Sequence, residues 1–183
     1  MITDQTKISK FLSLVLRHKP ETIGLYLDVN GWADTNLLIT AMQKAGYSID
    51  LDILKEIVAS SDKQRFKFND DFTLIRANQG HSIEVDLKFE AKTPPEVLYH
   101  GTATRNLESI KQYGLLKQSR HHIHLSADTE TARAVGMRYG KPVVLKIEAQ
   151  KMYKDGIIFY QSDNGVWLTE FVDTKYIHLS TEV

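Results

Sequence analysis

The sequence predicts an α+β protein with two lobes, the first mainly helical and the second mainly β. Apolar residues recur at helical spacing in three segments before residue 60, whereas short apolar segments typical of strands dominate after residue 95. Pro94 and Pro95 lie between the two patterns. A chain of 183 residues can form one large domain or two small lobes, since domains cluster near roughly 100 to 150 residues.

Three amphipathic helices are expected in the first lobe. Residues 3–16 carry apolar side chains at helical spacing, and Pro20 disfavours helix in the residue before it, so this helix should end near 17–19. Asp34 and Asp50 are suited to begin the second and third helices, because a carboxylate accepts hydrogen bonds from the N–H groups of a first turn.

Strands complete the first lobe, which we place at residues 1–82. Segments 65–68 and 72–76 alternate on either side of a polar turn, which predicts a hairpin. Residues 25–29 also alternate and precede the strong turn signal Asn30-Gly31, so they predict a short strand. Three helices with a two-stranded wing are typical of a winged-helix lobe.

The second lobe, residues 83–183, begins with a bridging segment, 83–95, in which residues 83–89 alternate and predict one strand. Short apolar segments bounded by turn residues and helix caps predict the other elements. We expect strands at 97–100, 122–126, 142–148, 157–160, 166–169 and 176–179, and helices at 106–112 and 128–139. Strands this short and irregularly spaced fit an α+β sandwich better than a doubly wound sheet.

Composition narrows the classes of function. Lys plus Arg and Asp plus Glu number 23 each, so any contact with nucleic acid must be local rather than the effect of a global positive field. The sequence has no cysteine, which excludes disulfides, thiolate metal sites and a cysteine nucleophile and suits a reducing cytoplasm. No apolar run approaches the roughly 18 residues of a membrane span, and residues 1–10 lack the order of a signal peptide, so we expect a cytoplasmic protein.

A dense polar cluster at 119–126 is the most unusual local feature. It holds three histidines beside Arg120, and strand alternation would place His122, His124 and Ser126 on one face. Histidines at i and i+2 can share a zinc ion, but no third ligand at a recognisable spacing accompanies them, so we expect no metal. The sequence also lacks a P-loop and a Gly-x-Gly-x-x-Gly turn after a strand, which removes the main support for kinases, ATPases and Rossmann dehydrogenases.

Other polar motifs have ordinary structural explanations when each is taken alone. Arg17 and His18 lie where the first helix should end, and cations suit a helix carboxy terminus. Arg65, in the wing, suits an exposed strand face or a phosphate contact. His100-Gly101-Thr102 closes an apolar strand, where glycine lets a backbone approach a ligand closely. No single motif decides the function.

Taken in order, the motifs resemble the RNA 2′-phosphotransferase family, over almost the whole chain. They are short, but together they are specific. The matching segments are Leu16-Arg17-His18-Lys19-Pro20, Asn30-Gly31-Trp32, Lys63-Gln64-Arg65-Phe66, Ile75 to Ser82, Leu98-Tyr99-His100-Gly101-Thr102, Gly114-Leu115, Arg120 to Ser126 and Asn164 to Thr169.

The resemblance implies an enzyme that removes an internal 2′-phosphate from RNA, such as the splice-junction phosphate of a ligated tRNA, with NAD⁺ as co-substrate. It implies a 2′-phospho-ADP-ribosylated RNA intermediate, and nicotinamide, ADP-ribose 1″,2″-cyclic phosphate and 2′-OH RNA as products. It also implies a winged-helix lobe followed by an ADP-ribosyltransferase-like, mixed β-sandwich lobe that binds NAD.

The family's catalytic residues match Arg17, His18, Arg65 and Arg120 in this sequence. The residue types suit the chemistry, since arginine offers a phosphate planar, bidentate hydrogen bonding that lysine cannot reproduce. The resemblance leaves two roles open for His18, holding the phosphate or assisting proton transfer from O2″.

The resemblance also implies an NAD-binding set in the second lobe. Glu170 is left out of it, because strand alternation turns Glu170 and Thr169 to opposite sides. A phosphate that attacks C1″ is already an anion and needs no catalytic base. The implied NAD-binding residues are His100, Gly101, Thr102, His124, Ser126, Asn164, Trp167 and Thr169.

Two alternatives remain open. An ADP-ribosyltransferase that stops after the first step would cap terminal phosphates of RNA or DNA with the same fold. The other is a winged-helix DNA-binding regulator whose second lobe is a sensor. The expected second helix, however, carries only Lys44 among basic residues, whereas a helix that reads a DNA groove usually carries a basic stripe.

Overall fold

The computed structural model describes residues 3–61 and 63–180, and the chain forms two compact units, Met1–Lys88 and Phe89–Val183. The change from one unit to the other falls inside the segment that we interpreted as a bridge, 83–95. The described residues form six α-helices and eleven short strands, which confirms the α+β class.

The three helices of the first unit form where the sequence predicts them. They are α1 (Gln5–Arg17), α2 (Thr35–Lys44) and α3 (Leu51–Ala59). Asp34 and Asp50 cap α2 and α3 as predicted, each accepting a hydrogen bond from a first-turn N–H, at 2.9 and 2.8 Å. Asp4 caps α1 in the same way.

A small antiparallel sheet completes this unit. Its strands are β1 (Ala33–Asp34), β2 (Phe66–Phe68) and β3 (Leu74–Ala77), in the order β1-β3-β2. The β2–β3 hairpin confirms the predicted wing strands, whereas β1 was not predicted. Apolar residues of α1, α2, α3 and the sheet bury one common core.

The strand predicted at 25–29 is wrong. The carboxylate of Asp28 accepts hydrogen bonds from the N–H groups of Asn30 and Trp32, at 2.8 and 2.9 Å, so the chain turns immediately. Leu25 and Leu27 still pack against the helical core, which explains the alternating pattern without a strand.

The strand predicted at 83–89 is also wrong. The N–H of Asp86 donates to the carbonyl of Val29, and the side-chain amide of Asn30 donates to the carbonyl of Asp86. The two segments that were expected to be strands therefore touch each other through isolated hydrogen bonds, and these are too few to form a ladder.

The second unit is richer in strands, and every pairing among its described residues is antiparallel, where we expected a mixed sandwich. The sheet orders are β11-β7-β4, β6-β9-β8 and β10-β5. The strands are β4 (Leu98–Ala103), β5 (Leu115–Leu116), β6 (Ile123–Leu125), β7 (Pro142–Ile147), β8 (Tyr160–Gln161), β9 (Trp167–Thr169), β10 (Phe171–Val172) and β11 (Ile177–Leu179).

Three helices accompany these strands: α4 (Leu107–Tyr113), α5 (Thr129–Gly136) and α6 (Ala149–Lys154). The first two were predicted, and α6, β5 and β10 were not. In the described part of the chain, no helix is long and apolar enough to cross a membrane.

The packing of α5 on β4 depends on two glycines. A Cβ atom at Gly101 would lie 1.6 Å from the carbonyl oxygen of Ala132, and one at Gly136 would lie 2.7 Å from the carbonyl oxygen of Thr102. Both distances are far shorter than any van der Waals contact. Helix and strand therefore approach each other so closely that neither position can carry a side chain, and this contact fixes the strand that carries His100.

Candidate functional site

The end of α1 carries the first two predicted site residues. Arg17 is the last helical residue, and His18 caps the helix with its N–H donating to the carbonyl of Leu14, at 2.9 Å. Both side chains are half-buried. His18 leaves the helical conformation, with φ −130° and ψ −48°, so the helix ends at Arg17.

Arg65 meets this helix end through its backbone. The guanidinium of Arg17 donates to the carbonyl oxygen of Arg65 at 3.3 Å and lies over the ring of Phe66, 5.7 Å from its centroid. The structure thus brings Arg17, His18 and Arg65 into one neighbourhood, although 48 residues separate the two arginines.

A short segment that follows β3 joins these elements. The N–H of Asn78 donates to the carbonyl of Arg65 at 2.9 Å, and the N–H of Ser82 donates to the carbonyl of Arg17, also at 2.9 Å. The hydroxyl of Ser82 lies 2.8 Å from Nδ1 of His18. Sequence reasoning placed residues 75–82 among the motifs but gave Asn78 and Ser82 no role.

In the second unit, His100 and His124 form a polar pair on β4 and β6. Nδ1 of His100 lies 3.1 Å from the carbonyl oxygen of His124. A carbonyl oxygen only accepts, so Nδ1 carries the proton. Burial lowers the pKa of His100 below its ordinary value, and the positive charge of Arg120 lowers it further, against the opposing effect of this hydrogen bond. The neutral ring therefore presents Nε2 as a hydrogen-bond acceptor.

Arg120 contacts Nδ1 of His124, and this Nδ1 accepts a hydrogen bond, whereas Nδ1 of His100 donates one. The guanidinium of Arg120 lies 3.4 Å from Nδ1 of His124, and since arginine only donates, Nδ1 is an acceptor in this contact. His100 thus presents an accepting Nε2 beside the positive charge of Arg120, an arrangement suited to a hydroxyl group of a ribose. No carboxylate of the described residues forms an ion pair with Arg120.

The remaining predicted residues of β4 and β6 also support the fold. The hydroxyl of Thr102 accepts a hydrogen bond from the side-chain amide of Asn106 at 3.1 Å. Ser126 forms a two-bond bridge with Tyr99, which ties β6 to β4. Together with Gly101, these residues hold the two strands at a fixed separation around His100.

Trp167 and Thr169 lie in β9, where their contacts are those of a core. Thr169 is fully buried, and its hydroxyl donates to the carbonyl of Ile158 at 3.1 Å. Trp167 belongs to the apolar core of this unit. Asn164, in the turn before β9, accepts a hydrogen bond from the hydroxyl of Ser162 at 2.6 Å.

The predicted alternation of the histidine cluster agrees with the burial of its neighbours. Ile123 and Leu125 are buried in the core, so His122 and His124 project from the other face of the strand. The ring of His122 contacts those of Phe89 and Tyr160 edge to face, and burial lowers its pKa. In residues 3–61 and 63–180, no group of three or more His, Cys, Asp or Glu side chains could hold a metal ion.

Comparison with known proteins identifies the family. A model of the RNA 2′-phosphotransferase, Tpt1/KptA family matches residues 3–171. The chain belongs to this family. Probable RNA 2′-phosphotransferases are similar along nearly their whole length: that of Fusobacterium nucleatum is 53% identical over 175 residues, which are 95% of this chain and 98% of the relative. That of Acaryochloris marina is 56% identical over 169 residues, 92% and 93% of the two chains.

A third relative, the probable RNA 2′-phosphotransferase of Escherichia coli O45:K1, is 55% identical over 170 residues, 92% of this chain and 88% of the relative. The protein is therefore an RNA 2′-phosphotransferase, an enzyme that removes a 2′-phosphate from RNA. This result confirms the resemblance found in the sequence and sets aside the regulator as an alternative.

Proposed function

We propose that this RNA 2′-phosphotransferase uses NAD⁺ as co-substrate and acts on an internal 2′-phosphate of the tRNA splice-junction type. NAD⁺ supplies an electrophilic C1″ with nicotinamide as leaving group. The phosphate displaces nicotinamide, which gives a 2′-phospho-ADP-ribosylated RNA. O2″ then attacks phosphorus, the RNA 2′-oxygen leaves and takes up a proton, and ADP-ribose 1″,2″-cyclic phosphate is released.

The observation that carries this proposal is the grouping of Arg17, His18 and Arg65 at the end of α1. A 2′-phosphate is close to dianionic at neutral pH, and arginine donors and an imidazole are the groups that bind such an anion most specifically. The guanidinium of Arg17 is held by the carbonyl of Arg65 and the ring of Phe66, so its direction is fixed before the substrate binds. We assign these three residues to the RNA phosphate.

The donor set of the second unit fits NAD⁺. His100 offers an accepting Nε2 to a ribose hydroxyl, and Arg120, in contact with His124, supplies a positive charge beside it. His124 stays a proposed NAD-binding residue. We assign Arg120 to the charge that develops on phosphoryl oxygens, as the fourth catalytic residue. NAD binding by the other six residues stays a prediction: Gly101, Thr102, Ser126, Asn164, Trp167 and Thr169, which all lie in this unit.

The finer fold assignments belong to the same proposal. We assign the first unit to the winged-helix class, which its three helices and β2–β3 hairpin support, and the second to the ADP-ribosyltransferase-like class. The domain boundaries 1–82 and 83–183 and the cytoplasmic location, which rests on the cysteine-free sequence, stay predictions.

Incubation with NAD⁺ and a short RNA that bears one internal 2′-phosphate tests the proposal. We expect 2′-OH RNA, nicotinamide and ADP-ribose 1″,2″-cyclic phosphate in equal amounts. Stable ADP-ribosylated RNA would favour the enzyme that caps phosphates and stops after the first step, and phosphate removal without NAD⁺ consumption would refute the proposed chemistry.

Substitution of the proposed catalytic arginines tests which residues handle the phosphate. Arg65→Ala and Arg120→Ala should slow or stall the phosphate-handling step, because each removes a charge-assisted donor. Lys44→Ala, which removes one exposed positive charge at the end of α2, is the matched control. Full activity of both arginine variants would refute the placement of the catalytic residues.

A further inference from the structure

Ser82 makes two contacts with the end of α1, where the proposed phosphate ligands lie. Its N–H donates to the carbonyl of Arg17 at 2.9 Å, and its hydroxyl lies 2.8 Å from Nδ1 of His18. The backbone bond fixes the position of the residue, and the side-chain bond fixes the plane of the imidazole. Ser82 thus contacts both residues at the end of α1, although it lies 64 positions further along the chain than His18.

The segment that carries Ser82 is itself held in place. At its start, the N–H of Asn78 donates to the carbonyl of Arg65 at 2.9 Å, and the amide of Asn78 donates to the carbonyl of Gln64 at 2.5 Å. Gly80, with φ +85°, turns the chain back towards α1. His81 is buried, with 2% of its surface exposed, and anchors the segment next to Ser82. The hydroxyl of Ser82 is therefore preorganised.

The hydrogen bond with Ser82 has a chemical consequence for His18. A ring nitrogen that shares a hydrogen bond with a hydroxyl is committed to it, and the ring can then offer only Nε2 to a substrate. Loss of this bond would remove one restraint on the side-chain torsions of the imidazole. A fixed imidazole plane would speed the reaction if Nε2 must face the reacting group in one orientation.

We propose that Ser82 is a positioning residue for the reaction: it holds Nδ1 of His18 so that Nε2 is directed at the transferred phosphate. The proposal rests on the role given to His18 above. Ser82 itself does not touch the substrate, and its effect on the rate passes through His18.

Steady-state kinetics with 2′-phosphorylated RNA and varied NAD⁺ test this role. Ser82 is exposed, so Ser82→Ala should fold as the parent does. We expect Ser82→Ala to lower kcat about tenfold, the effect of losing one hydrogen bond of ordinary strength, with the KM for NAD⁺ unchanged. Ser82→Thr keeps the hydroxyl and should restore most of the rate. Ser13→Ala, which removes a serine hydroxyl bonded within α1, is the matched control and should keep the parental rate.

A double-mutant cycle separates positioning from general support of the fold. If Ser82 acts through His18, Ser82→Ala should cost nothing further in the His18→Ala background. The same tenfold loss in both backgrounds, a parental rate in Ser82→Ala, or no rescue by Ser82→Thr would overturn the proposal. If His18→Ala alone kept the parental rate, the proposed role of His18 would fail as well, and that result is distinct from all three.

Discussion

At the scale of single residues, the protonation of His100 is the most direct consequence of its surroundings. Burial is the main cause of its lowered pKa, and the charge of Arg120 is a further one. Arg120→Ala should therefore raise the pKa of His100 part of the way towards its ordinary value of about 6.5. Titration of the imidazole ¹⁵N signals by NMR measures this change. His122 is the internal control, because its pKa depends on burial and other charges and should stay where it is.

The same shift makes stability depend on pH. A histidine whose pKa is lowered by folding binds its proton more readily in the unfolded chain, so its contribution to stability is complete above about pH 6.5. That contribution is lost as the pH falls from there through the folded pKa. Urea unfolding at pH 7.5 and pH 5 should show a smaller pH effect for His100→Gln than for the parent. An equal pH effect in both proteins would contradict a His100 whose pKa is lowered by folding.

A positive charge alone should not be enough for phosphate removal at the proposed phosphate ligand Arg65. Arg65→Lys keeps the positive charge but loses the planar, two-pronged donor, so we expect phosphate removal to slow by about 10- to 100-fold. Single-turnover rates measure the loss. Lys67→Arg, in β2 two residues further along the chain, is the control for exchange of the two cations. A parental rate in Arg65→Lys would mean that position 65 supplies only a general positive field.

At the scale of elements, α5 and β4 approach each other so closely that the contact requires glycine. A Cβ at Gly101 would clash with the carbonyl of Ala132, so Gly101→Ala should lower the free energy of unfolding by about 3 kcal/mol or more. Gly156, with φ +91° and no atom within 4 Å of a Cβ, is the control for backbone strain alone. Gly156→Ala should cost about 1 kcal/mol. Urea denaturation compares the two, and equal losses would show that the clash is relieved by movement.

Local signals account for the elements that the sequence predicts correctly. Asp34 and Asp50 act within one turn of their own positions, and the β2–β3 hairpin closes over a few residues. The errors at 25–29 and 83–89 have the opposite cause. Alternation at 25–29 reports packing against the helical core, and at 83–89 half-buried residues alternate with exposed ones. A strand also needs a neighbour with a continuous ladder. β1, β5 and β10, two residues each, exist only because distant strands pair with them.

The candidate site follows the same rule. The family resemblance selected Arg17, His18 and Arg65, and their assignment to the phosphate stays a prediction. The contacts that hold them were invisible, since the carbonyl of Arg65 and the N–H of Ser82 are backbone groups that every residue carries. Sequence patterns identify side chains that are chemically unusual. The backbone hydrogen bonds that position these side chains are visible only in the structure.

At the scale of the whole molecule, the charge balance bears on how RNA is held. With 23 basic and 23 acidic residues the net charge is zero, so affinity for RNA must come from a few local contacts. Each phosphate contact with single-stranded RNA contributes about −0.7 to the slope of log K against log salt concentration. We expect a shallow slope for the whole protein, on the order of −2 to −3.

Binding of 2′-phosphorylated RNA without NAD⁺, measured by fluorescence anisotropy between 50 and 300 mM salt, tests this expectation. Arg65→Ala should make the slope shallower by about 0.7, because one phosphate contact is lost. Lys44→Ala removes the same charge from an exposed site on α2 and should leave the slope unchanged. A steep slope would instead require an extended cationic track along the RNA. An unchanged slope in Arg65→Ala would remove that residue from the phosphate and leave Arg17 and His18 to hold it.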